Sequence, residues 1–446
     1  MNEKQIQTLI AQMTLEEKAA LCSGGDFWNT KAIERLGIPA LTMSDGPSGL
    51  RKQDGSGKMG LHESKQSISF PTGSLMAASF DRDVLTTLGE TLGEEAASED
   101  IDILLGPAMN IKRSPLCGRN FEYYSEDPTL SSGLASAYVK GLQSKGVGAC
   151  PKHFYANNME NRRMTASSEL DERTAREIYL ASFEKMVKES KPRSIMCSYN
   201  KINGVYAAQN KEALTDILRK QWGFDGIVVS DWGAVNDRAA DLAAGLDLEM
   251  PSSHGSGPRR IMEAIENGSL DEQTLDAACT RILDTVFHLK SEKQPVSECD
   301  WAGHHKIASD IAAESMVLLK NEGLLPLRPE QKVAFIGKYA AKPRYQGGGS
   351  SHVQPWKVES ALDCLDQEAV TYAQGFEDET DDTNERLLSE AIAAAKNAEV
   401  AVLFVGLPEH YESEGFDREH LKMPPNQLEL IEQVCRVQKN VVVLLH

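Results

Sequence analysis

One unit recurs through the first 290 residues of this chain. A short apolar run stops abruptly in polar residues, and a stretch of helical period follows. The runs are "ALTMSDGP" (40–47), "IDILLGPAMN" (101–110), "GVGACPKHF" (146–154), "RSIMCSYN" (193–200), "GIVVSDW" (226–232) and "LDLEMP" (246–251). Helix-period segments such as "DRDVLTTLGETLGEEAAS" (81–98) and "DERTAREIYLASFEKMVKE" (171–189) lie between them. The second opens on Asp171 and Glu172, which suit a helix N-terminus. Short runs that are apolar on both faces, alternating with helices, imply parallel strands covered on both sides. At this length a (β/α)8-type TIM barrel is favoured over an open doubly wound sheet. Six runs are visible, so one or two strands are missed or the barrel is irregular.

Such barrels build their sites from strand C-termini and the loops that follow. Asp45, Lys152, His153, Tyr199 and Asp231 all stand where a run ends. One polar strand end carries no information, since every strand must leave the sheet somewhere. Five runs ending in large functional side chains imply one shared mouth.

The pattern breaks in "KSEKQPVSECDW" (290–301). The reading is a TIM-barrel-like domain over 1–292, a linker over 293–303 and an α/β sandwich domain over 304–446. In the last, "KVAFIG" (332–337), "AEVAVLFVG" (398–406) and "NVVVLL" (440–445) are buried strands. "ERLLSEAIAAAKNA" (385–398) and "PPNQLELIEQVCRVQ" (424–438) are helices between them. A sheet that stops after a buried strand leaves apolar surface open. The sandwich is therefore expected to be truncated at its C-terminal end, or to pair with another polypeptide. Residues 407–422, with little packed behind them, are expected to be poorly ordered or displaced.

With 446 residues, the chain is long enough for two cores. The formal charge of −19 argues against nucleic acid and anionic membranes, which require a basic footprint. No apolar segment is long enough to span a bilayer, and the polar start "MNEKQIQTLIAQMTLEEKAAL" has no signal-type core. The eight cysteines form no CxxC pair and read as reduced thiols. A cytoplasmic protein is expected, with a removed leader left open.

The chain has no HExxH and no GxxxxGK[ST]. His304–His305 lacks the i, i+4 spacing of a zinc pair and reads as a solvated helix start. "GGGSS" (347–351) reads as a close-approach loop of undefined partner. No G-x-S-x-G elbow supports an esterase. Cys117 reads as a bystander thiol. Carboxylates remain. Asp231 ends a strand, and "YESEGFDR" (411–418) follows another. Two carboxylates flanking a glycosidic bond hydrolyse it without metal or cofactor. The competing reading of the acidic loop is a solvated charge cluster.

At this point the residues resemble a known family. "MTLEEKAAL", "SDGPSGLR", "GPAMNIKRSPLCGRNFEYYSEDP", "PKHFYANNMENRR", "MCSYNKING", "GFDGIVVSDWGA", "AAGLDLEMP", "RYQGGGSS" and "ESEGFDR", in this order, are similar to glycoside hydrolase family 3 β-glucosidases. The resemblance implies a retaining hydrolase that releases terminal β-D-glucose by double displacement, with no cofactor and no metal. It implies Asp231 as nucleophile and Glu414 as acid/base, with Glu412 the runner-up. It implies Asp45, Arg119, Lys152 and His153 on the hydroxyls of the innermost sugar. Tyr199 and Met196 would lie beside the nucleophile, and Trp232 against the sugar beyond the cleavage point. Arg163 and Glu160 would support the lysine and histidine. The stretch "YANNMENRR" is unlike the loop of the family's N-acetylglucosaminidases, which favours a glucosidase. The implied partners are a β-glucoside or oligosaccharide and, for the open sheet, the remaining C-terminal part of the enzyme or a second copy. The alternatives are another exo-β-glycosidase such as a β-xylosidase, or a truncated sugar-binding fragment without efficient turnover.

Overall fold

The computed structural model describes residues 1–53, 64–293, 298–365 and 370–446. Residues 294–297 of the expected linker lie outside the described residues.

The N-terminal part is a (β/α)8 barrel. Five of its strands are Met43–Asp45 (β1), Ile103–Leu105 (β2), Gly148–Ala149 (β3), Ser194–Cys197 (β4) and Ile227–Ser230 (β5). All five are buried along their whole length, as strands covered on both faces must be. The pairs β1–β2, β2–β3 and β4–β5 are parallel. Parallel bridges Phe154↔Cys197 and Val229↔Leu248 connect β3 to β4 and add the sixth run beside β5.

The ring then closes through residues that form no apolar run. Ser23 pairs with Glu249 in parallel, Gly24 pairs antiparallel with Thr30, and Asn29 pairs antiparallel with Thr42 just before β1. The sequence reading counted six members; the other two are the arms of this short hairpin. Each arm makes only single bridges, so neither shows the length or the β-branched pattern that betrays a strand.

Helices Arg82–Ser98 (α1), Pro128–Gln143 (α2) and Ala181–Ser190 (α3) wrap the outside, α1 against α2 and α2 against α3. Asp81 caps α1, and Asp127 caps α2 with Pro128 in the first turn, where a missing N–H costs nothing. The helical segment expected over 171–189 is present but interrupted. Asp171 caps a short turn, and a π-helical stretch, Ala175–Tyr179, precedes α3. Alternate strand residues join different clusters, as the two-residue strand period requires. Leu104, Ile195 and Val228 pack with α1–α3, whereas Ile103, Leu105, Met196, Ile227 and Val229 pack with the long helix Glu272–Glu292 (α4).

After α4 comes helix Trp301–Ser315 (α5), capped by Asp300. His304 corrects the expectation of a solvated helix start. It is 5% exposed, with Nδ1 at 3.1 Å from Oε1 of Glu95 on α1 and Nε2 at 3.3 Å from Oε2 of Glu94. Cys299 Sγ lies 3.4 Å from Nδ1. Burial opposes charging of this imidazole, but Cys299 and Glu95 outweigh it and push its pKa up to about 10. Burial in turn raises the Glu95 pKa, and the His304–Glu95 pair ties α5 to the barrel.

The C-terminal part is an α/β sandwich. Its strands are Val333–Ile336 (β6), Val370–Ala373 (β7), Val400–Val405 (β8) and Val441–Leu445 (β9). They run parallel in the order β7-β6-β8-β9. Helices Glu385–Asn397 (α6) and Pro425–Val437 (α7) accompany them. Sequence reading missed β7 because its middle residues, Thr371 and Tyr372, are exposed and half polar. On β9, Val443, Leu444 and Leu445 are all exposed. Among the described residues no helix is long and apolar enough to cross a membrane. All eight cysteines are free thiols.

Among the contacts that lay the sandwich on the barrel mouth are a strand pairing and an arginine clamp. Gln354–Pro355 pairs in parallel with Gln66–Ser67, and Arg51 Nη1 donates to the Gly349 and Ser350 carbonyls at 3.2 and 3.0 Å.

Candidate active site

The five strand-end residues do converge. Asp45 is the last residue of β1, Lys152 and His153 follow β3, Tyr199 follows β4, and Asp231 follows β5. All are buried. Lys152 Nζ lies 3.3 Å from Asp45 Oδ1. Burial works against the ammonium, but Asp45 and Glu122 outweigh it and raise the Lys152 pKa, so Lys152 stays charged.

Asn110 sets the tautomer of His153. Its amide donates to the His153 carbonyl at 2.9 Å and accepts the His153 N–H at 2.8 Å, which fixes the amide orientation. The amide oxygen then faces Nδ1 at 3.3 Å. Nδ1 must carry the proton, and Nε2 is left as an acceptor 3.7 Å from Asp231 Oδ2. Burial, reinforced by Arg119 and Lys152, holds the imidazole neutral by pushing its pKa well down.

Asp231 Oδ1 accepts the Trp232 N–H at 2.8 Å, whereas Oδ2 is buried and has no hydrogen-bond partner. Burial pushes the Asp231 pKa up to about 6, against the pull of Arg119 and Lys152 and with the help of the Glu414 charge. Arg119, 1% exposed, donates Nε to Glu122 Oε1, yet its Nη1 and Nη2 have no hydrogen-bond partner. A buried carboxylate oxygen and two guanidinium nitrogens left unpaired in one place are costly in a protein interior. They mark a surface shaped for a polar guest.

Glu414 reaches this mouth from the sandwich domain. Its Oε1 accepts from Arg163 Nη1 at 2.7 Å and lies 3.7 Å from Arg119 Nη1; its Oε2 accepts the Ser350 N–H at 2.6 Å. Burial alone would raise its pKa, but Arg119 and Arg163 overcome that and hold the carboxyl well below its usual range. The glycine loop brings the Ser350 amide here. Gly349 has φ +105°, and a Cβ on it would lie 2.3 Å from Glu414 Cβ. So the undefined partner of "GGGSS" is Glu414. Burial raises the Glu412 pKa, and the charges that oppose this are Arg418, Arg344 and Lys112, whereas those that act on Glu414 are Arg119 and Arg163.

The expectation that residues 407–422 are displaced is not met. The Gly415 N–H donates to Glu160 Oε2 at 2.9 Å, and the Arg418 N–H to the Leu116 carbonyl at 2.8 Å. The loop is held from the barrel side by these bonds and from the sandwich side by the Ser350 N–H and by Asp381, which accepts from the Tyr411 hydroxyl at 2.8 Å.

The remaining expected residues frame the mouth. Arg163 and Glu160 were expected to support Lys152 and His153; instead Arg163 binds Glu160 Oε2 at 2.8 Å and Glu414, and lies 4.8 Å over the Tyr199 ring. The Tyr199 hydroxyl donates to the Trp232 carbonyl at 3.0 Å. Met196 is buried in the barrel strand below. Trp232 Nε1 donates to the Phe27 carbonyl at 3.0 Å, and its ring is 5.4 Å from that of Trp28. Sequence reading missed Ser350, Asn110, Glu122 and Trp28. Asn110 ends the 101–110 run, so the strand-end rule could have found it; Trp28 sits in the hairpin that was not seen.

Chemically, the mouth offers a carboxylate with a free oxygen, a second carboxylate paired with arginines, cationic and imidazole groups, and an indole at the rim. That set suits a polyol ring with one electrophilic carbon.

Comparison with known proteins agrees with this chemistry. The profile of the glycosyl hydrolase family 3 N-terminal domain matches residues 29–285, and that of the family 3 C-terminal domain matches 316–446. The chain is 52% identical over 447 residues to thermostable β-glucosidase B of Acetivibrio thermocellus, covering 99% of this chain and 59% of that protein. It is 45% identical to an exo-α-(1→6)-L-arabinopyranosidase of Bifidobacterium longum, with 98% and 59% covered. Among solved structures, a Bifidobacterium adolescentis family 3 β-glucosidase superposes with TM-score 0.90 at 44% identity, covering 98% of this chain and 63% of that one. β-Glucosidase 3B of Thermotoga neapolitana, in complex with α-D-glucose, gives 0.89 at 34% identity, with 99% and 68% covered. The chain thus spans about three-fifths of the length of the curated relatives it matches.

Proposed function

The chain belongs to glycosyl hydrolase family 3, and from that premise we propose that it acts as a retaining exo-β-glucosidase with Asp231 as nucleophile and Glu414 as acid/base. The observation that carries the reading is a buried Asp231 Oδ2 with no hydrogen-bond partner, in the same charge network as Glu414, whose carboxylate lies 3.7 Å from Arg119 Nη1.

In the first step Asp231 Oδ2 attacks the anomeric carbon and the glycosidic C–O bond breaks. The leaving oxygen takes a proton from Glu414, and a glucosyl ester forms on Asp231. In the second step the Glu414 carboxylate takes a proton from water, whose oxygen attacks the same carbon and frees Asp231. Two inversions give net retention. Asp45, Lys152, His153 and Arg119 hold the sugar hydroxyls, with Lys152 and Arg119 donating and His153 Nε2 accepting. Trp232 and Trp28 flank the leaving group.

The arginine pair suits the second step, because it keeps Glu414 ionised as a base. For the first step Glu414 must gain a proton. Sugar hydroxyls that draw the Arg119 Nη atoms onto themselves weaken one of the holds that oppose this, alongside Arg163 and the Ser350 N–H.

A second reading, exo-α-L-arabinopyranosidase, rests on the Bifidobacterium longum relative. Nitrophenyl β-D-glucoside, β-D-xyloside and α-L-arabinopyranoside, compared by kcat/KM, separate the specificities. A preference for the glucoside supports the reading. Preference for either pentoside replaces the substrate, and no turnover of any of them refutes the hydrolase. The free thiols fit a cytoplasmic setting.

A further inference from the structure

We infer that Asp417 is a positioning residue that sets Glu414 over the barrel mouth by gathering backbone N–H groups from two barrel loops. The inference rests on the reading of Glu414 as acid/base. Asp417 Oδ1 accepts the Gly118 N–H at 3.0 Å and the Glu160 N–H at 2.9 Å. Its Oδ2 accepts the Glu160 N–H at 3.1 Å and the Asn161 N–H at 2.9 Å. One carboxylate of the sandwich domain thus binds three amides of the barrel across more than 250 residues of sequence.

The choice of amides matters. Gly118 immediately precedes Arg119, and Glu160 immediately precedes, while Asn161 opens, the turn that carries Arg163. These are the two arginines that hold Glu414. Asp417 lies three residues beyond Glu414, on the far side of Gly415. The loop bearing the acid and both loops bearing its cationic partners are therefore pinned to one another at a single carboxylate. Charge-assisted bonds to N–H groups are about twice as strong as neutral ones, so this is a firm anchor.

The joint has little room to move. A Cβ on Gly118 would lie 1.7 Å from the Phe416 carbonyl oxygen and 2.5 Å from that of Ser413. Backbone meets backbone there, and a shift of the 413–418 loop toward the barrel is blocked. A shift away breaks the Asp417 bonds together with those of Arg418 to Leu116 and Gly415 to Glu160. Asparagine is a poor substitute, because its NH2 group would face amide donors.

Asp417 meets the barrel through loop amides on the flank of the mouth, and its role here is one of placement. Misplacing a reacting group by about 1 Å costs on the order of 10²-fold in rate. The loss should fall most heavily on the proton transfers that Glu414 performs. Cellobiose needs its leaving oxygen protonated, whereas a 2,4-dinitrophenyl β-glucoside does not.

The test is kcat and KM of Asp417→Ala, Asp417→Asn and Glu414→Ala on both substrates, with thermal melting as a check on folding. The expected result for Asp417→Ala is a loss of roughly 10²-fold in kcat on cellobiose and less than about 10-fold in formation of the glucosyl-enzyme from the dinitrophenyl glucoside, read from the dinitrophenolate burst. Asp417→Asn keeps one acceptor and nearly the same shape, so it should show the same contrast at smaller size even if the alanine variant folds poorly. Equal losses on both substrates, or none, in the asparagine variant would overturn the inference. If Glu414→Ala shows the contrast and the Asp417 variants do not, Asp417 is only a structural tie. If Glu414→Ala itself shows no contrast, the assignment of Glu414 fails and the inference fails with it.

Discussion

Asp231 Oδ2 and His153 Nε2 stand 3.7 Å apart at the bottom of the barrel mouth, and the imidazole carries its proton on the other nitrogen. A neutral histidine offers Asp231 no balancing charge. This is consistent with burial winning over Arg119 and Lys152 and lifting the Asp231 pKa to about 6.

That value predicts a pH profile. Attack requires the carboxylate, so activity is lost as pH falls through the raised pKa. On a dinitrophenyl glucoside, which needs no proton from Glu414, formation of the glucosyl-enzyme should be flat above about pH 7 and fall roughly tenfold per unit below about pH 6. Presteady-state kcat/KM against pH measures it. An acid limb near the ordinary aspartate value of about 3.9 would mean that burial does not control this group.

Replacing Asp231 should abolish turnover without harming the fold. Asp231→Ala removes a buried carboxylate with an unpaired oxygen, so the melting temperature should hold or rise. Loss of a nucleophile should cost on the order of 10⁴-fold or more in kcat. Steady-state assay of the purified variant beside a melting curve checks both halves. Near-normal turnover would remove Asp231 from the mechanism.

How far the sequence could be read depends on the physical signal each feature leaves. β4 and β5 each carry a three-residue apolar run, and Asp231 stands out just after β5 ends. The hairpin at 23–30 makes single bridges and shows no such pattern, so the ring was two members short. Glu414 was legible only through resemblance, since an acidic loop by itself reads as solvated charge. What brings it to the mouth is long-range: Arg163 Nη1 at 2.7 Å and the Ser350 amide at 2.6 Å. His304 was misread for the same reason. Its partner Glu95 lies over 200 residues away on α1, and local spacing carries no trace of that.

The His304 tie predicts a stability trend with pH. Its folded pKa of about 10 lies above the usual 6.5, so the stabilisation is fully present below about pH 6.5 and is lost as pH rises through about 10. Burial raises the Glu95 pKa and His304 opposes that, so His304→Gln lets this carboxyl protonate and should cost about 1–3 kcal/mol at pH 6 through the lost bond. The gap to the unsubstituted protein should narrow toward pH 10.5. Urea unfolding at the two pH values measures it, and an equal cost at both would show that the pair does not depend on the imidazolium.

The central claim is that Asp231 forms a covalent bond to the sugar, and trapping that intermediate tests it most directly. A 2,4-dinitrophenyl 2-deoxy-2-fluoro-β-glucoside slows the breakdown of a glucosyl ester, so the ester accumulates on whichever carboxylate attacks. After incubation, proteolysis and peptide mass spectrometry should find one added fluoroglucosyl group on the peptide containing "VVSDWGA", at Asp231. Attachment at Glu414 or Glu412, or release of dinitrophenolate with no label on any peptide, would contradict the account.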